Sequence, residues 1–217
     1  SLWPCHAEGA GAVGLDGVQT GRGGNARFVG HCVRGSTHGE SSVRTSQVAY
    51  IVVRLNVEGR EYYLVNLHKK WGDWSLVGDH VEPDEAGDWF AAAKREAEEE
   101  PAPLRFGTDF ILEPIPGGPS QWGPIAARPA GGAPTIHEAA WFSLRFLKNA
   151  AARLARLTPE AFCLVGKETA LGNPGSLPVS SLLQRLQEAL PDGLAAVPMA
   201  WSAPIPEGAI RFGPERS

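Results

Sequence analysis

Three glutamates near residue 100 have a spacing that suggests phosphate chemistry. Glu99 and Glu100 follow Glu96 by three and four residues, so a helix would bring the three carboxylates onto one face. Like charges at this spacing repel each other by roughly a few tenths of a kcal/mol per pair, unless a cation lies between them. Mg²⁺ prefers oxygen ligands and often shares them with a substrate phosphate. The cluster therefore indicates either a Mg²⁺ site or, as acidic runs usually do, a solvent-exposed helix face.

Two further charged residues precede this cluster. Glu85 lies in the loop before the helix, where it could supply another carboxylate or an orienting partner. Arg95 could pair with Glu99 along the helix or with Glu85 across it. Loop and helix together form one acidic segment, residues 78–100.

The surrounding sequence predicts the strands and helices that must position this segment. Apolar, β-branched runs bounded by turn residues predict strands. They are Gln47–Asn56, Glu61–His68, Trp74–Val77, Phe110–Pro114, Trp122–Ala127 and Thr135–Leu144, with a further short strand near Ala26–Val33. Helical spacing of apolar residues and the stop at Pro101 predict three helices. They are Asp88–Glu100, Phe146–Leu157 and Val179–Leu190.

The acidic segment resembles the signature of the Nudix hydrolase family, G-x5-E-x7-R-E-U-x-E-E-x-G-U, in which U is apolar. Residues 80–85, HVEPDE, match the loop of the signature, with Glu85 at its first glutamate. Residues 95–100, REAEEE, match R-E-U-x-E-E at every specified position. The resemblance extends over residues 43–156, about half of the chain.

Three departures from the signature bear on activity. Asp79 takes the place of the signature glycine, unless Gly78 has taken over that role. Two residues are inserted between Glu85 and Arg95. Pro101 stands where the helix should run on to a glycine, and a proline disfavours helical geometry in the residue before it.

The resemblance implies an α/β fold with a Nudix-type mixed sheet sandwiched between helices, and with irregular N- and C-terminal extensions. We expect a glycine-rich N-terminal extension over residues 1–42 and a Nudix-like domain over residues 43–158. A C-terminal extension with one helix, packed on the core, is expected over residues 159–217. Glycine and proline, 26 and 18 residues of 217, are abundant in these extensions.

The resemblance also implies an activity and a set of site residues. The activity is Mg²⁺-dependent cleavage of a diphosphate linkage in a nucleoside diphosphate derivative, with Mn²⁺ as a substitute metal. The alternative is a degraded Nudix-fold domain that serves as a nucleotide-binding, regulatory or interaction module. The expected catalytic residues are Glu99, Glu96, Arg95 and Glu85, the metal ligands Glu96, Glu99 and Glu100, and the weaker substrate contacts His80 and Trp74.

Composition narrows the class of partner. The net charge of −4, from 20 basic and 24 acidic residues, argues against bulk binding to nucleic acid. No apolar run reaches the length of a membrane helix, and no signal peptide is visible. Three cysteines are most simply explained by a reducing cytoplasm. We therefore expect a cytoplasmic protein with a small nucleotide-type substrate, and a homodimer is compatible with the resemblance.

Overall fold

The computed structural model describes residues 43–69, 72–101, 104–126, 133–147, 150–157, 160–173 and 177–202. The strand predicted near Ala26–Val33 and the rest of the predicted N-terminal extension lie outside these residues.

The described residues form nine strands and four α-helices. The strands are β1 (Arg44–Val52), β2 (Arg54–Val57), β3 (Arg60–His68), β4 (Asp73–Ser75), β5 (Phe110–Pro114), β6 (Ser120–Ile125), β7 (Thr135–Phe146), β8 (Phe162–Gly166) and β9 (Met199–Ser202). The helices are α1 (Trp89–Glu99), α2 (Ala150–Leu154), α3 (Lys167–Gly172) and α4 (Pro178–Ala189). Among these helices, none has the length and apolar character needed to cross a membrane.

The strands form two mixed sheets. In the first sheet β7 pairs in parallel with β1 and antiparallel with β5 and β6. In the second sheet β3 pairs antiparallel with β2, β4 and β8, while β9 pairs in parallel with β2. Only Val53 separates β1 from β2, so the single apolar run of the sequence passes from one sheet to the other. The predicted α/β class with mixed strand pairing is confirmed, and the structure divides the strands between two sheets.

Helices cover both faces of the sheet layer. In β1, Ala49 and Ile51 join a buried cluster with α1, which we call the α1 cluster. Val52 joins a second cluster with α3 and α4, the α4 cluster, against which Tyr50 also packs. This alternation follows from the two-residue period of a strand and from the apolar character of both faces. The arrangement of sheets between helices agrees with the implied fold.

Two segments differ from their predicted secondary structure. The helix predicted over Phe146–Leu157 is confined to α2, because Phe146 instead ends β7 in register with Phe110. The segment beyond residue 158, expected to carry one helix, also contains β8, α3 and β9. Since β8 and β9 extend the second sheet, this segment contributes strands to the core. The division of the chain into domains stays a prediction.

A buried carboxylate anchors α2. Asp109 is only 3% exposed and lies 2.6 Å from Arg153 Nε and 3.1 Å from Arg156 Nη2. Its other carboxylate oxygen accepts the backbone N–H of Arg105 at 2.9 Å. We expect Asp109→Ala to lower the free energy of unfolding by about 2–3 kcal/mol, since both arginines lose a buried partner. Urea denaturation measures the change.

The matched control for this prediction is Glu188→Ala, which removes an exposed carboxylate from α4. It is expected to change the free energy of unfolding by less than about 0.5 kcal/mol. Equal effects of the two substitutions would contradict the anchoring role of Asp109.

Candidate active site

Arg95 joins the loop of the acidic segment to helix α1. Its Nε and Nη2 donate to the two carboxylate oxygens of Glu85 at 2.8 and 3.0 Å. Nη2 also donates to the backbone carbonyl of His80 at 3.1 Å. The hydrogen bonds from Arg95 hold the pKa of Glu85 below its usual range. A bidentate arginine–carboxylate pair fixes the relative orientation of the two side chains as well as neutralising their charges, so it holds the loop against the helix.

The same guanidinium contacts two carboxylates of α1. Nη1 of Arg95 donates to the carboxylate of Glu96 and, at 3.4 Å, to Oε2 of Glu99. The side chain of Glu96 is 6% exposed, whereas that of Glu99 is 63% exposed. Arg95 therefore pairs with Glu99 along the helix and with Glu85 in the loop, the two partners that the sequence predicted as alternatives.

A second group of carboxylates lies on the buried side of α1. Burial raises the pKa of Glu96 to about 7, against the attraction of Arg95, and the nearby charges of Glu100 and Asp79 add to the rise. Burial also raises the pKa of Glu100, although this carboxylate accepts hydrogen bonds from the backbone of Gly78 at 3.3 Å and from Asn66. Glu96, Glu100 and Asp79 therefore share one region of negative potential.

The chemistry of these donors fits a hard divalent cation. Carboxylate oxygens are the ligands that Mg²⁺ prefers, and their mutual repulsion would be relieved by a positive ion. Among the described residues, however, no three Asp, Glu, His or Cys side chains converge as a ready-made metal site. Glu96 and Glu99 contact Arg95, and Glu100 is held by Gly78 and Asn66. A cation at these carboxylates would therefore share Glu96 and Glu99 with Arg95.

The loop of the acidic segment runs along β1. Backbone hydrogen bonds join Val77 to Ile51, Asp79 to Ala49 and Val81 to Gln47 at 2.9–3.1 Å. Gly78 lies so close to β1 that a Cβ there would be 2.0 Å from the carbonyl oxygen of Ala49, and its φ is +130°. The loop is thereby fixed to the same strand against which α1 packs.

Part of the chain matches a protein-family model. The model of the NUDIX domain matches residues 45–105, which include the acidic segment and the strands before it. Residues 45–105 of the chain therefore carry a NUDIX domain. No curated protein matches the chain.

Solved structures provide a second comparison. The C. elegans Ap4A hydrolase is 19% identical over 65% of this chain and 95% of its own, with a TM-score of 0.45. Shewanella oneidensis NrtR is 14% identical over 66% of this chain and 62% of its own, with a TM-score of 0.45. RenU, a Nudix hydrolase from M. smegmatis, is 15% identical over 67% of this chain and 88% of its own, with a TM-score of 0.38. These similarities carry no argument about substrate or mechanism.

The three departures from the Nudix signature are absorbed by the backbone. Gly78, not Asp79, makes the close approach and has the positive φ that a glycine allows. The inserted residues lie in a turn in which Gly87 has a φ of +85° and the Asp88 side chain caps α1 by accepting from Ala91 N–H at 2.9 Å. Glu100 keeps helical dihedrals of −74° and −55° despite the following proline.

The structure brings some of the predicted Nudix site residues together and leaves others apart. Arg95 gathers Glu85, Glu96 and Glu99, while Glu100 is held separately by Gly78. His80 contributes its backbone carbonyl to Arg95, and its ring bonds Ser46 at 2.9 Å. Trp74 packs against the α4 cluster, so its substrate contact stays a prediction.

Sequence reasoning missed one residue at this site. Asn66 is 6% exposed and hydrogen-bonds Glu100. The sequence feature that could have identified Asn66 is its position as a polar residue within the apolar strand YYLVNL, residues 62–67. A buried amide in such a strand requires a polar partner, and here the partner is Glu100.

Proposed function

We propose that the Nudix domain is a Mg²⁺-dependent pyrophosphohydrolase that cleaves a diphosphate linkage in a nucleoside diphosphate derivative. The observation that carries the proposal is the joining of Glu85, Glu96 and Glu99 by Arg95, which persists despite the two-residue insertion. An acidic helix face with no function would have no need to hold Glu96 buried beside other carboxylates, because such burial is costly. The choice of a nucleoside derivative as the substrate rests on the match to the NUDIX domain.

The chain's own residues would divide the work between binding and orientation. Glu96, Glu99 and Glu100 would hold the cation, which when bound supplies charge neutralisation at the diphosphate and an activated water. Arg95 would fix Glu96 and Glu99 in direction, and Glu85 would hold Arg95 through the bidentate pair. A carboxylate of the site would accept the proton of the attacking water.

A hydrolysis assay tests this proposal. The chain is incubated with dinucleotides and nucleotide sugars, with Mg²⁺ or with EDTA, and nucleoside monophosphate release is followed by chromatography. We expect turnover with Mg²⁺ and none with EDTA, since the carboxylates alone leave the diphosphate charge unneutralised. Glu99→Gln is expected to lower kcat/KM by about a hundredfold or more, whereas the exposed Glu188→Gln on α4 should leave it unchanged.

One observation favours the alternative of a nucleotide-binding module. Glu96 and Glu99 already contact Arg95, and no ready-made metal cluster is present among the described residues. A module of this kind would bind the same nucleotides without cleaving them, and Glu99→Gln would leave their affinity intact. Absence of turnover across the panel, with binding retained by titration calorimetry, would decide for the module. Cytoplasmic location and a homodimer stay predictions.

A further inference from the structure

A cleft opens at the beginning of the two parallel strands β1 and β7. Its volume is about 670 Å³, in the range of small-molecule sites. Arg44 and Ser46 line it from β1, and their register partners Thr135 and His137 line it from β7. His80 completes this set from the loop of the acidic segment.

The polar lining of the cleft is mostly basic or hydroxylic. Arg44 Nη2 donates to the Thr135 hydroxyl at 3.3 Å, and within the described part of the chain Arg44 pairs with no carboxylate. The ring of His80 shares a hydrogen bond with the Ser46 hydroxyl. Arginine, imidazole and hydroxyl groups together are the donors that recognise phosphate oxygens.

Two acidic residues border this lining, and both have polar contacts. Asp79 lies 3.8 Å from the His80 ring. Glu138 accepts hydrogen bonds from the side-chain amides of Gln47 at 2.9 Å and Gln121 at 3.4 Å. Among the described residues, neither carboxylate forms a hydrogen bond or ion pair with the Arg44 guanidinium, which donates to the Thr135 hydroxyl.

One side of the cleft is fixed by aromatic stacking. The His137 ring stacks on Trp122, with centroids 5.6 Å apart and an interplanar angle of 16°. The Arg185 guanidinium lies 5.0 Å from the centre of the same Trp122 ring. Ile125, which is 44% exposed, adds an apolar surface beside these rings. The cleft therefore offers a rigid wall as well as hydrogen-bond donors.

His80 connects the cleft to the Nudix site. Its ring lies in the cleft, bonded to Ser46, while its backbone carbonyl accepts from Arg95 Nη2 at 3.1 Å. Arg95 in turn holds Glu85 and Glu96. One residue of the loop therefore contacts both the cleft and the guanidinium that holds the carboxylates.

We propose that this cleft binds a phosphomonoester carried by the substrate in addition to its diphosphate, with Arg44 as the main specificity residue. The inference rests on the proposed function for its choice of ligands. A phosphomonoester carries close to two negative charges and three acceptor oxygens, which match the Arg44 guanidinium and the neighbouring hydroxyls. Because the ring of His80 lines the cleft, it would contact the ligand together with Arg44.

Matched nucleotide pairs test the proposal. NADPH differs from NADH, and coenzyme A from dephospho-coenzyme A, by one phosphomonoester while the diphosphate is the same. Dissociation constants are measured by titration calorimetry in EDTA, and kcat/KM is measured with Mg²⁺. We expect the phosphorylated member of at least one pair to bind about tenfold more tightly or better. The pair that shows the preference identifies which ester position the cleft accepts.

Substitutions of Arg44 separate this inference from the proposed function. Arg44→Gln is expected to abolish the preference and Arg44→Lys to retain part of it, whereas Arg60→Gln at the start of β3 should retain it fully. Preference in EDTA without turnover would support the cleft and overturn the hydrolase. Turnover with equal constants within both pairs, unchanged in Arg44→Gln, would overturn the cleft and leave the hydrolase standing.

Discussion

Arg95→Ala is expected to lower kcat/KM by about a hundredfold on the substrate identified in the hydrolysis panel. The substitution removes the group that orients Glu96 and Glu99 and that fastens the Glu85 loop to α1. Loss of an orienting partner of metal ligands commonly costs roughly 10- to 100-fold in affinity or activity. Because Glu96 is buried, the substitution should also lower the free energy of unfolding by about 1–3 kcal/mol in urea denaturation.

Two further variants sharpen this prediction. Arg95→Lys keeps the positive charge but not the fork that spans both oxygens of Glu85, so it should restore only a small part of the activity. Arg145→Ala removes another arginine from an ion pair, the exposed contact with Glu113 at 3.3 Å, and should leave kcat/KM within a factor of about two. Activity in Arg95→Ala close to that of Arg145→Ala would exclude an orienting role for Arg95.

Gly78→Ala is expected to have the largest effect on stability, lowering the free energy of unfolding by about 3 kcal/mol or more. Two costs add at this position. A φ of +130° is strained for any residue with a Cβ, and the added carbon would lie 2.0 Å from the backbone oxygen of Ala49. Relief of that clash requires movement of β1, which passes through the core. Thermal and urea denaturation measure the loss.

The chain supplies matched controls for this position. Gly87 also has a positive φ, +85°, but a Cβ there would meet nothing within 4 Å. Gly87→Ala should therefore cost only the conformational strain, about 1 kcal/mol. Asp79→Gly should leave the close contact with β1 untouched. Equal destabilisation by Gly78→Ala and Gly87→Ala would show that contact with β1 is unimportant.

Elements with a clear local sequence pattern have nearly the bounds that the sequence predicted. Strand β5 has the predicted bounds Phe110–Pro114, and α1 and α4 end within one residue of their predictions. These elements have strong periodicity or a proline that stops them. The Arg95–Glu85 pair was also predictable, because the Nudix resemblance points to these two residues.

Pairings between distant segments were not predictable. Residues 48–53 form an unbroken apolar stretch, so nothing in it shows that the run of residues 47–56 divides between strands that pair with β7 and with β3. Strand β9 lies in the C-terminal segment for which the sequence predicted one helix and no strand, yet it pairs with β2. Likewise, the hydrogen bond from Asn66 to Glu100 depends on how the second sheet lies beside α1. Such contacts depend on tertiary packing, which local propensity does not encode.

The passage of one peptide run through both sheets has a consequence for the integrity of the domain. Val53, 1% exposed, is the only residue between β1 and β2, and its carbonyl accepts the N–H of Leu64 in β3 at 3.0 Å. A junction this short allows no hinge, because rotation of one sheet against the other would break buried hydrogen bonds on both sides. We therefore expect neither sheet to fold as an autonomous fragment, and the carboxylates of α1 and the cleft at the beginning of β1 and β7 depend on the same pair of sheets.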